Sequence, residues 1–136
     1  MMIDANNPVI ELCIRGTQAE FRREIDQAHG LYQQAWNLAG DPYEACIAAH
    51  YLARYQPTAE ERFDWNRIAL EQAQAADAEA VRPFLPSLYL TMGHAYERLG
   101  GQTEAQRYYD LAAALGVAHQ GVAERGVQSS TEGRAK

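Results

Sequence analysis

Residues 89–112 read YLTMGHAYERLGGQTEAQRYYDLA, and the register of large and small side chains in this stretch decides the fold. Tyr89, Met92, Gly93 and Tyr96 recur at spacings of three, one and three residues, which places them on one helical face. Leu99-Gly100-Gly101 then interrupts the pattern, because glycine ends a helix in the left-handed conformation without a steric penalty. Beyond the break Ala105, Tyr109 and Ala112 stand at i, i+4 and i+7 of a second helix. Small residues let two helices approach closely and the aromatic rings fill the space beside them, so the stretch reads as a helical hairpin.

The same spacing occurs upstream. Leu12, Gly16 and Ala19 match Tyr89, Gly93 and Tyr96, while Ala28, Tyr32 and Ala35 match Ala105, Tyr109 and Ala112. Asn7-Pro8 opens the first helix, which is expected to run to about Phe21. The turn after it, Phe21-Arg22-Arg23-Glu24, has no glycine, so a hairpin and a single helix from Thr17 to Leu38 both fit the sequence. Gly40-Asp41-Pro42 is a stop followed by a start, and a third helix is expected from Pro42 to Tyr55 with Ala45, Ala48, Ala49 and Leu52 in packing positions. Thr58 followed by Glu61 is a capping box that opens a fourth helix, in which Trp65 and Ile68 take the places of Tyr109 and Ala112. Ala76 to Pro86 is additional sequence. Asp77 can cap it, but Pro83 and Pro86 remove backbone donors, so an extension of the fifth helix is expected, kinked or broken between Arg82 and Ser87. The sixth helix is expected from Gln102 to Leu115.

Together these elements resemble the tetratricopeptide repeat, a helix–turn–helix unit of about 34 residues. The resemblance implies an all-α fold: six helices in three antiparallel pairs, stacked as a short right-handed α-α superhelix over residues 8–116, with residues 1–7 disordered. It is clearest in the third pair. Residues 117–136 have Gly-Val pairs every five residues and read as a frayed or disordered tail, with Val117 to Arg125 as the candidate for a capping helix.

In this family the first helix of each pair lines a concave inner wall. Transferring the wall positions gives Cys13, Thr17, Glu20 and Phe21, then Cys46, His50, Ala53 and Arg54, then Leu90, His94, Glu97 and Arg98. The resemblance therefore implies a non-catalytic module that binds a peptide or helix of another protein. Its groove would use Tyr43 at the rim with Cys46, His50, Arg54, Leu90, His94, Glu97 and Arg98. Arg54 and Arg98 form a basic strip suited to a carboxylate or an acidic peptide. Some family members hold a C-terminal carboxylate with Lys, Arg and Asn, but the matching positions here are Cys13, Thr17, His50, Leu90 and His94.

Composition narrows the alternatives. The formal net charge of −6 opposes general binding to nucleic acid or to an anionic membrane. No apolar run approaches the roughly 20 residues of a membrane span, and the N-terminus lacks the form of a secretion signal, so a cytoplasmic location is expected. Two cysteines without paired spacing read as free thiols in a reducing compartment. Cys13, Cys46, His50 and His94 make a conceivable zinc set, and Cys46 with either histidine a conceivable nucleophilic dyad. The sequence carries neither close metal-ligand spacing nor an oxyanion loop, so no enzyme, metal or cofactor is expected. His29 and His119 read as solvated, and Trp36 and Trp65 as core. An end pair without a good cap suggests homodimerisation as the alternative role.

Overall fold

A computed structural model describes residues 6–116. The helices are α1 (Pro8–Phe21), α2 (Ile25–Leu38), α3 (Pro42–Leu52), α4 (Ala59–Ala75), α5 (Ala78–Val81), α6 (Leu85–Arg98) and α7 (Gln102–Ala114), with 3-10 turns at Ala53–Tyr55 and Arg82–Phe84. Among the described residues all regular structure is helical, and no helix is long and apolar enough to cross a membrane. The expectations placed on residues 1–5 and 117–136, His119 and the capping segment included, lie outside the described residues. Three hairpins, α1–α2, α3–α4 and α6–α7, pack in chain order through α2 against α3 and α4 against α6.

Each start has a local cause. Asn7 accepts hydrogen bonds from the backbone N–H of Val9 and Ile10, and its side-chain amide donates to Glu44 at 2.9 Å, which ties the start of α1 to the start of α3. Asp41 caps α3 by accepting from the Glu44 N–H at 2.8 Å. Thr58 caps α4 by accepting from the Glu61 N–H, while its hydroxyl donates to the Glu61 carboxylate. Caps of this kind are worth about 1 kcal/mol each. The additional sequence at 76–86 is capped by Asp77, turns once as α5, and passes through a 3-10 turn where Pro83 sits, before α6 begins.

The first and third hairpins are built alike. The Tyr32 ring lies on Gly16, where a Cβ would stand 2.8 Å from ring carbons. The Tyr109 ring lies on Gly93 in the same way, with a Cβ 2.7 Å from Cδ1. Each tyrosine hydroxyl then donates back to its partner helix, Tyr32 to Glu20 and Tyr109 to Glu97. The turns also match. In each, the N–H of the third residue past the helix reaches back five residues, Glu24 to Ala19 at 2.9 Å and Gly101 to Tyr96 at 2.8 Å. The left-handed position is Gly100 (φ 85°) in one turn and Arg23 (φ 64°) in the other. So the chain makes a hairpin at residues 22–24 and not one long helix, although a non-glycine residue must adopt the left-handed conformation.

The middle hairpin departs from this scheme. α3 is apolar on two sides: Ile47, Ala48 and Leu52 join the core of α1 and α2, while Cys46 and Ala49 join the core of α4 and α6. α4 is longer than α2 or α7 and buries Asn66, Ala69, Leu70 and Ala73. Trp65 and Ile68, expected at the packing positions, are half-buried and pack against the core, Trp65 against both clusters and Ile68 against that of α4 and α6. Trp65 meets Trp36 edge-on at 5.0 Å.

Three stability outcomes follow. Gly93→Ala is expected to lower unfolding free energy by about 1–3 kcal/mol, because the methyl overpacks a ring and outweighs the gain in helix propensity. Tyr109→Leu is expected to relieve part of that loss in the double variant. Arg23→Gly is expected to raise stability by up to about 1 kcal/mol by removing left-handed strain. Urea titrations with unchanged slope measure all three.

Candidate functional site

The end of α3 and the 3-10 turn after it, the first half of α4, and α6 enclose an open cleft of about 190 Å³. His50, Ala53 and Arg54 come from the first of these, Ala59, Arg62 and Asn66 from the second, and Thr91, His94, Ala95 and Arg98 from the third. Of the wall residues read from the sequence, His50, Arg54, His94 and Arg98 line this one cleft.

The other expected groove residues lie elsewhere. Tyr43 faces Phe84 at 6.1 Å and borders a small apolar crevice with Ile10, Cys13, Ile14 and Tyr51. Cys46 is 1% exposed, because α3 buries that side against α4 and α6. Its edge forms part of the floor of a second cleft of about 230 Å³, with Ile47, Tyr51, Phe84 and Leu88. Leu90 is half-buried and borders none of these clefts. Glu97 is engaged as the acceptor of the Tyr109 hydroxyl at 2.7 Å. The sequence reading missed Arg62 and Asn66, both on α4. A polar Asn at the start of the run of buried small and apolar residues in α4 was the available signal.

Charge in the first cleft is one-sided. Three arginines line it and no acidic residue does. Arg54 pairs with Glu20 at 2.8 Å, across from α1. Arg62 donates to the Gln56 carbonyl at 2.9 Å, a contact that leaves its charge uncompensated. Arg98 has no ion pair among the described residues. Asn66 is 9% exposed and its side chain makes no hydrogen bond among the described residues. Thr91 turns its hydroxyl to the Leu88 carbonyl.

His50 stands between the first and second clefts. Its Nδ1 is buried without a hydrogen-bond partner. Burial, reinforced by the charge of Arg54, pushes the imidazole down to about 4, so it is neutral at pH 7. His94 is exposed and packs edge-on against Tyr109 at 5.6 Å. Burial pushes the thiols of Cys13 and Cys46 up to about 12, which keeps both protonated and poorly nucleophilic. Among the described residues no group of three or more His, Cys, Asp or Glu side chains is placed to hold a metal ion.

Comparison with protein-family models, with curated proteins and with solved structures finds no match to this chain.

The histidine makes stability pH-dependent with a definite sign. Its folded pKa lies below the ordinary value of 6.5, so the unfolded chain binds more protons between the two. The contribution is fully present above pH 6.5 and is lost as pH falls toward 4, by up to about 3 kcal/mol. His50→Gln is expected to remove this part of the pH slope; unfolding free energies of the two proteins at pH 7, 5.5 and 4.5 measure the difference.

Proposed function

We propose that this chain is a tetratricopeptide-repeat-like interaction module. In this reading the three hairpins form a short right-handed superhelix, and the wall made by α1, α3 and α6 binds a peptide or helix of another protein in the cytoplasm. The observation that carries the reading is the first cleft. Residues at matching sequence positions of two successive hairpins, His50 with His94 and Arg54 with Arg98, line one open cleft. The repeated Gly–Tyr–Glu arrangement of the first and third hairpins supports a common repeat unit. Burial raises the Cys46 thiol above its ordinary range, which favours a binding role over a Cys–His enzyme.

Self-association is a second reading. Leu111 on α7 and Leu115 just after it remain 39% and 46% exposed at the end of the last hairpin. A second copy covering them would leave the wall free, and light scattering on a concentration series distinguishes monomer from dimer.

The wall is tested with peptides selected from a displayed library on the folded protein. Thr91→Trp fills the cleft and is expected to weaken those peptides by about tenfold or more. Gln106→Ala, on exposed α7 surface, is expected to leave them unchanged. Peptides indifferent to Thr91→Trp would place docking away from this cleft and end the reading.

A further inference from the structure

We propose that the cleft between α3, α4 and α6 is a binding site for a phosphate monoester. Arg54, Arg62 and Arg98 reach it from three different elements. A carboxylate offers two oxygens in one plane, which a single guanidinium fork can satisfy. A phosphate monoester offers three terminal oxygens distributed around phosphorus and can accept donors from several directions.

The charges also match. Glu20 offsets Arg54, while Arg62 and Arg98 have no carboxylate against them among the described residues. That leaves two positive charges facing the −1.5 to −2 or so carried by a monoester at neutral pH. Arginine is the side chain whose planar fork suits phosphate, and lysine occurs once in the whole chain, at Lys136.

Two neutral groups complete the site. Asn66 lies nine-tenths buried on the cleft lining, and its side chain makes no hydrogen bond among the described residues. A bound oxyanion supplies an acceptor for its amide N–H. His50 borders the same space, also with a buried ring nitrogen that lacks a partner. The inference rests on the cleft and does not require that the whole wall docks a peptide, since a phosphorylated side chain and a small phosphorylated molecule carry the same group.

The test is a titration of the full chain with O-phosphoserine at constant ionic strength, followed by NMR of the Asn66 side-chain amide and the His50 ring. Saturable shifts of both are expected, with serine and acetate producing none. Arg98→Ala, an exposed position that leaves the core intact, is expected to weaken binding by about tenfold or more, and Arg98→Lys by less. A phosphoserine peptide that binds more tightly than glycerol phosphate identifies a protein ligand; the reverse identifies a small molecule. Absence of saturable shifts at millimolar O-phosphoserine, equal response to acetate, or indifference to Arg98→Ala overturns the site. If phosphate binding fails while library peptides still respond to Thr91→Trp, the phosphate site falls and the docking wall stands.

Discussion

The close approach of a tyrosine ring to a helical glycine sets the geometry on which the rest depends. Gly16 under Tyr32 and Gly93 under Tyr109 leave no space for a Cβ, so the distance between paired helices is fixed by the thickness of an aromatic ring. The ring is apolar but its hydroxyl is not, and each hydroxyl must find an acceptor on the facing helix. Glu20 and Glu97 fill that role. Burial first, and the bond to the glutamate second, raise both tyrosines above their ordinary pKa, which keeps them protonated as donors. From there the two hairpins diverge. Glu20 also receives Arg54, so the keying of the first hairpin orients a cation of the cleft. Glu97 receives no arginine, and its neighbour Arg98 has no ion pair among the described residues. A repeated mechanical device thus gives two arginines different degrees of freedom at one site.

α3 imposes the second constraint. A helix between two cores cannot keep a polar face, and Cys46, Ile47, Ala48, Ala49 and Leu52 are all buried. His50 is the polar side chain that this arrangement forces against the interior. Leaving Nδ1 unpaired there is costly, and a well-packed apolar residue of similar size would avoid the cost. The imidazole stands where two clefts adjoin, so its ring is the one group that senses occupants of either side. Arg54 four residues later adds a charge that opposes protonation, while an anion in the first cleft would act in the other sense. The histidine and the arginines are therefore electrically linked through whatever fills the space between them.

Much of the fold was legible because it rests on local chemistry. Asn7-Pro8, Asp41-Pro42, Thr58 with Glu61, and Asp77 each act within one turn of a helix, and each starts the element expected of it. The turn at Arg22-Arg23-Glu24 is not decided by its own sequence, because its cause is not local. The Gly16–Tyr32 contact holds α1 and α2 together, and Arg23 adopts the strained conformation that closing the chain requires. Trp65 and Ile68 pack against the core as their spacing implies. In the site, residues of α3, the turn after it and α6 were visible by their matching positions. Arg62 and Asn66 were not, since a reading confined to the first helix of each pair never samples α4. Cys46 was placed on the wall because a one-faced pattern was applied to a helix buried on two.

Net charge is a poor guide to such a cleft. A chain with a formal charge of −6 repels anions at long range, yet beyond about 8 Å that repulsion is screened at physiological ionic strength. Within that distance the nearest fixed charges decide. At the cleft these belong to Arg54, Arg62 and Arg98, while Glu20, the acid bound to one of them among the described residues, is itself held by Tyr32. The surrounding negative charge then favours selectivity over affinity: a diffuse anion gains little by approaching, and one that fits the three forks gains locally more than it loses in transit. Recognition here depends on shape and donor placement, which the average of the sequence cannot express.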